Sequence, residues 1–220
     1  MKKQISISDK IHLAVPDTRL GAIYARVDYG PASSALLEAI DREARRIAAM
    51  DISQIKDIPA IAATRRAYRA LGKEPARYRP SAEALYRRLA QGKGLYQISN
   101  IVDTINLASI ITGYSIGGYD FAKISGDILF DVGRAEDVYE AIGRGIINIE
   151  NLPVFRDDLG PFGSPTTDSV RTMITDHTRE VLLIVINFGI TRSFQQDLDK
   201  ISDLLIQYAN ARDIDVQIIE

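Results

Sequence analysis

The sequence predicts a mixed α/β fold, α+β in character, with mixed β-sheets packed against helices. Apolar residues recur at helical spacing through much of residues 31–112, whereas short runs of branched and aromatic residues between glycines dominate residues 115–188. The chain then closes with a helix between two strands. Its 220 residues hold no repeat and no Pro/Gly/Ser-rich linker, so a single domain over 1–220 is expected.

Taken in order, Ile11–Val15 and Ala22–Asp28 read as strands, rich in branched residues between turn signals. Pro31 opens a helix to about Met50, with Leu36, Leu37, Ile40, Ala44 and Ile47 on one face. Pro59 suits the first turn of a second helix, to about Leu71, with Ile58, Ile61 and Ala62 inward and Arg65, Arg66 and Arg69 mostly outward. Residues 72–80 hold two prolines and must be extended or turned. Ser81 is expected to cap a short helix that stops near Gly92-Lys-Gly94, with Leu85 and Leu89 inward, and a fourth helix runs from Asn100 to Thr112, ended by Gly113. Ser115–Asp120, Asp127–Val132, Val154–Asp157, Thr172–Thr175 and Val181–Phe188 read as strands, and Gly160–Pro165 as a rigid loop. Ser193-Phe-Gln-Gln196 is a capping box for a last helix, and Val216–Ile219 a last strand, giving a parallel, right-handed β-α-β crossover.

Composition narrows the function classes. At 46% hydrophobic and 25% charged residues the chain is globular in type, and its longest apolar run, Val181–Ile186, is far short of a bilayer span. The N-terminus has lysines but no apolar stretch, so a cytoplasmic protein without a signal peptide is expected. Without cysteine there is no disulfide, thiolate metal site or Cys nucleophile. With His12 and His177 as its only histidines, the chain is expected to use no metal and no cofactor. The net charge of −2 hides an asymmetry. Residues 65–93 hold nine basic groups against two acidic ones, a net of +7, interleaved with Tyr68, Tyr78 and Tyr86. Such a segment can hold a phosphate backbone, which makes Arg65, Arg66, Arg87 and Arg88 candidate RNA contacts; it can equally be a solvated helix face.

Asn100, Asp103 and Asn106 share one helix face, either as a pocket wall or as clamps on a neighbouring loop. Gly117-Gly118 permits close approach of backbone to a ligand, or a tight turn. No dinucleotide or P-loop motif is present. Ser164, Asp168, Ser169 and His177 lack the elbow of a hydrolase triad, and Asp157, Asp158 and Asp168 sit in turn-forming context rather than in a metal-ligand pattern.

Five segments in order carry a resemblance: Arg79-Pro-Ser-Ala-Glu-Ala-Leu85, Asn100-Ile-Val-Asp-Thr-Ile-Asn106, Gly113-Tyr-Ser-Ile-Gly-Gly-Tyr-Asp120, Ile124-Ser-Gly-Asp-Ile128 and Thr178-Arg-Glu-Val-Leu-Leu183. Over about residues 65–190 the chain resembles the editing domain of the phenylalanyl-tRNA synthetase beta subunit, the B-three/B-four domain, and more closely its free-standing versions. In the synthetases that domain hydrolyses tyrosine wrongly esterified to the phenylalanine tRNA. The resemblance implies a pocket formed by Asp103, Asn106, Gly117, Gly118, Asp120, Gly163 and Ser164, with tRNA or aminoacyl-tRNA as partner and neither DNA nor membrane expected. Three family side chains are absent: Ile105 replaces a threonine, Gly117 a histidine and Ile184 a glutamate. No catalytic residue is assigned on this basis, and without an ATP-binding motif the chain is not a complete ligase. The expected function is binding of an aminoacylated ligand with hydrolysis of its ester, through main-chain N–H groups near the glycines. The alternatives are a non-catalytic RNA- or amino-acid-binding module and an unrelated small-molecule enzyme.

Overall fold

The computed structural model describes residues 3–137, 140–190 and 193–220. In chain order the elements are β1 (Ile5–Ile7), α1 (Asp9–Ala14), β2 (Thr18–Arg26), α2 (Ser34–Ala48), α3 (Pro59–Ala70), α4 (Ser81–Ala90), α5 (Asn100–Thr112), β3 (Ile116–Asp120), β4 (Ile128–Val132), β5 (Glu140–Ala141), β6 (Gly145–Ile146), β7 (Pro153–Asp157), β8 (Gly160–Gly163), β9 (Glu180–Phe188), α6 (Phe194–Ala209) and β10 (Arg212–Ile219). They form the mixed α/β architecture that the sequence predicts. One sheet has the order β10-β2-β9-β3, all antiparallel; a second, β1-β4-β7-β8, is antiparallel except for its parallel β1–β4 pair; β5 and β6 form a hairpin.

Strand β9 explains its own composition. Val181, Leu183 and Val185 point into a core shared with α5 and α6, whereas Leu182, Ile184 and Ile186 point into a core shared with the second sheet. A strand buried on both faces loses the polar alternation of a half-exposed one, hence the unbroken apolar run. Strand β10 pairs antiparallel with β2, as does β9, so β9 and β10 run parallel with β2 between them. Helix α5 ends at Gly113, whose φ of 81° suits a residue without Cβ. Among the described residues no helix is long and apolar enough to cross a membrane.

Several elements differ from expectation. Ile11–Val15 belongs to α1: Ser8 caps it, accepting from Ile11 N, and the helix buries Ile11 while Leu13 stays 86% exposed. A strand would have put both on one face. Strand β2 starts earlier than expected because Gly21 is no turn; a side chain there would collide with Leu198 of α6, so the glycine lets helix and strand touch. Gly160–Gly163 is a strand, not a loop, and Pro161 is tolerated because β8 is a sheet edge. Thr172–Thr175 is not a strand; Ser169 caps a short 3₁₀ turn over Val170–Thr172. Ser81 occupies the first turn of α4 and Pro80 the cap position.

The basic segment is partly structural. Glu83 of α4 is fully buried, and its carboxylate takes Arg65 of α3 at 2.8 Å and Arg87 at 2.8 Å, with Arg79 at 3.8 Å. Arg65, expected outward, thus locks α3 to α4. Replacing Glu83 by Ala leaves partly buried guanidinium groups without their anion and is expected to cost about 3–5 kcal/mol in urea unfolding, whereas Arg66→Ala, at an exposed position, should fall within about 0.5 kcal/mol of wild type.

Candidate functional site

Between α4, α5, β3, the segment after β8 and the β5–β6 hairpin lies a cavity of about 410 Å³. Leu85, Val102, Ile105, Ile116 and Ile174 make its apolar wall, while Asn106, Ser109, Ser164 and Asp168 bring polar groups to it and Arg144 stands exposed at its edge. A second cavity of about 380 Å³, beside Glu43 and Arg46, is more polar, and its Arg46 is already bonded to Glu43 and to Ile110 O. The first has the form of a ligand site: a largely apolar concavity with few convergent polar groups.

Asp168 is the group that distinguishes it. Tyr119 Oη donates to Asp168 Oδ1 at 2.8 Å; the backbone N–H groups of Gly118 and of Ser164, the latter bonded to Thr167 O at 3.1 Å, lie near enough to favour its charged form. Burial pushes its carboxyl up to about 7; these three donors favour the charged form and offset part of the rise. The carboxyl is closely surrounded by protein, yet the residue remains partly accessible because it lines the cavity. Its backbone is fixed from several sides. Ser164 Oγ donates to Thr167 O at 2.9 Å and accepts from the N–H groups of Thr166 and Thr167; Tyr68 Oη and Thr166 Oγ1 lie 2.8 Å apart; Ile142 N donates to Asp168 O at 3.0 Å.

The residues that the sequence singles out divide into two groups. Asn106, Gly118 and Ser164 line the cavity. The other four stand behind it. Asp103 accepts from Ile98 N at 3.1 Å, acting as a clamp on the loop before α5; burial raises its pKa against the opposing effect of the Ile98 and Ser99 N–H groups. Asp120 accepts from Thr178 Oγ1 at 2.7 Å and from Ala122 N at 3.1 Å. Gly117 and Gly163 flank Tyr119, and a Cβ on either would fall on the hydroxyl end of its ring. Gly117 and Gly163 therefore make room for a phenol, and the Gly118 N–H lies near Asp168. Ile105 forms cavity wall, whereas Ile184 pairs with Gly117 and lies fully buried in the core behind it.

Asp168, Tyr119 and Arg144 are the residues that sequence reasoning did not assign to a pocket. The available signal was Gly117 two residues before Tyr119, on the same strand face, a small residue that implies a large neighbour. The triad reading fails on geometry: His177 is 89% exposed beside Asp176, and Ser164 Oγ is spent on its own turn. The metal reading fails at Asp157, whose carboxylate takes Arg171 at 2.9 and 3.0 Å; among the described residues no cluster of three His, Asp or Glu is placed to hold a metal ion. Of the four arginines proposed for RNA, Arg65 and Arg87 are held by Glu83. Arg88 binds Gly94 O at 2.7 Å and lies 3.9 Å from the Tyr96 ring centroid, and Arg66 is exposed.

Layers of helix, sheet and sheet, with a cavity where α5 meets β3, define a domain of α+β type. The chain belongs to the B3/4 domain family, whose model matches residues 63–217. Among 16 matching chains of solved structures is an N-terminal fragment of the phenylalanyl-tRNA synthetase beta subunit from Pyrococcus horikoshii, 13% identical, with a TM-score of 0.49. The match covers 98% of this chain and 50% of that one, so this chain spans about half the length of that fragment. Comparison with curated proteins gave no match.

Two outcomes follow from this geometry. Gly117→Ala should cost about 1–3 kcal/mol in chemical unfolding, because Tyr119 is wedged between Phe155 and Phe162 and has nowhere to move. Asp168 binds its proton more tightly folded, near pH 7, than unfolded, near 3.8, so its contribution to stability falls as pH rises through that window. The Asp168→Asn variant lacks this titration, and its Tm relative to wild type should be higher at pH 8 than at pH 4, as read by calorimetry.

Proposed function

We propose that this chain takes the aminoacyl end of a charged tRNA into the cavity and hydrolyses its ester. The observation that carries the reading is the single ionisable carboxyl, Asp168, set in an otherwise largely apolar cavity of a B3/4 domain. About 410 Å³ is the size of a small-ligand site, suited to an amino-acid side chain with the ester beside it. The apolar wall would take the side chain. Asn106 supports recognition of the aminoacyl group: among the described residues nothing pairs with its side-chain amide. Arg144, exposed and without an ion pair among the described residues, is placed to meet a phosphate of the incoming RNA. Arg66 and Arg69, exposed on α3, supply further positive charge, in place of Arg65 and Arg87.

The test pairs binding with turnover. Each of the twenty amino acids is presented on its tRNA, as the natural ester and as a non-hydrolysable amide. The reading expects tight binding of at least one amide and turnover of the matching ester. Ala84→Trp, which fills the cavity from a half-buried position on α4, should abolish both while leaving Tm close to wild type. Arg144→Glu should weaken binding and reduce the slope of log affinity against log salt by about 1. Binding of an amide without turnover of any ester would favour the non-catalytic module.

A further inference from the structure

We infer that Asp168 is the general base of this site and that Tyr119 is the positioning residue that aims and tunes it. The inference rests on the reading of the cavity as an aminoacyl-ester site. A carboxylate has room for about four hydrogen bonds. Tyr119 Oη holds one carboxylate oxygen, Asp168 Oδ1, at 2.8 Å, and the Ser164 hydroxyl fixes the turn that carries the residue. Asp168 also lines the cavity, so its carboxylate keeps acceptor capacity for a water beside the ester.

The same contacts bear on the chemistry implied by the resemblance. The strand position where the family carries a histidine is Gly117 here, and the volume beside that glycine is filled by the Tyr119 hydroxyl. Beside Gly117 this chain places a phenol from two residues on, and that phenol leads to a carboxylate on a different segment. Tyr119 cannot swing away: it stacks edge-on against Phe155 and Phe162, at centroid distances of 6.2 and 4.9 Å, and is closed in by two glycines. The acceptor is therefore held in one direction before any ligand arrives, as a positioned base requires.

The step balances without any external group except water. Asp168 takes a proton from the water as its oxygen attacks the ester carbonyl carbon. The new C–O bond forms, the carbonyl oxygen gathers negative charge, and the Asn106 amide is available to donate to it. The bond to the ribose oxygen then breaks, and that oxygen receives the proton from Asp168. The products are a free amino acid and a free ribose hydroxyl, with the carboxylate restored. Burial keeps the proton affinity of Asp168 near neutrality, so the base is half-ionised at about pH 7 and can both take and return the proton. The titratable neighbour in direct contact with it is Tyr119, from β3. Among the described residues lining the cavity, the one other charged side chain is Arg144, on the hairpin.

Single-turnover hydrolysis with enzyme in excess, using the charged-tRNA panel and the matching amides, tests this across pH 5 to 9. Asp168→Asn is expected to lower the rate by about 10²-fold or more while binding the amide within about threefold of wild type. Tyr119→Phe keeps the ring and removes the donor that favours the charged carboxyl. Its rate–pH midpoint should move upward by about half a unit or more, with the high-pH plateau within a few-fold of wild type. Full turnover by Asp168→Asn would overturn the assignment of the base and leave the ligand reading intact. Weakened amide binding at unchanged turnover would make Asp168 an ammonium anchor, and an unmoved midpoint in Tyr119→Phe would reduce Tyr119 to packing. Wild type that binds an amide but cleaves no ester contradicts the inference alone; wild type that binds no amide contradicts the ligand reading beneath it.

Discussion

The hydrogen bond from Tyr119 to Asp168 is the contact on which the rest of the site depends. It needs a ring threaded between Gly117 and Gly163, on strands of two different sheets, and a carboxylate delivered by the turn that follows β8. Both sheets are thus committed to the position of one side chain. The core of Phe130, Phe155 and Phe162 behind it is the counterpart of that commitment: it excludes water from the ring and raises the free energy of any charge held at its edge. For a carboxyl placed there, the Tyr119 hydroxyl and the nearby Gly118 and Ser164 N–H groups favour the charged form and offset part of the effect of burial.

Buried ion pairs do the bracing elsewhere. Glu83 with Arg65 and Arg87 joins α3 to α4; Asp157 with Arg171 joins β7 to the 3₁₀ turn after β8; Arg156 spans Asp131 at 3.4 Å and Asp137 at 2.8 Å. Each sets a guanidinium against a carboxylate with little access to solvent, and Arg171 meets Asp157 as a two-nitrogen fork. The arginines that made residues 65–93 look like an RNA-binding segment are therefore of two kinds, and sequence alone does not separate them. A net charge over a window counts Arg65 and Arg66 alike, although one is half-buried against Glu83 and the other faces solvent.

The helices and the long strand were legible in the sequence because their signals are local: Pro59 at a helix start, Gly113 at a helix end, Ser193 capping α6 and the apolar run of β9. The misread elements were decided by tertiary contact. Gly21 looks like a turn until Leu198 is seen against it, and Pro161 looks like a loop until β8 is seen to be an edge. The family was legible from the order of five motifs. The chemistry of the cavity was not, because Asp168 matters through Tyr119, 49 residues away, and through the burial that the two share. Sequence placed Asn106, Gly118 and Ser164 on the cavity; it placed Asp103, Gly117, Asp120 and Gly163 there too, and these turned out to hold the wall up from behind.

The central claim is that burial gives the Asp168 carboxyl, anchored by Tyr119, a proton affinity far above that of an ordinary aspartate. Carbon-detected NMR of the labelled Asp168 side-chain carboxyl, followed from pH 4 to pH 9, measures this directly. The structure predicts a titration midpoint at about 7. A midpoint near 4, the range of an aspartate in water, would mean that the carboxyl is solvated rather than held in the cavity wall, and would contradict the account.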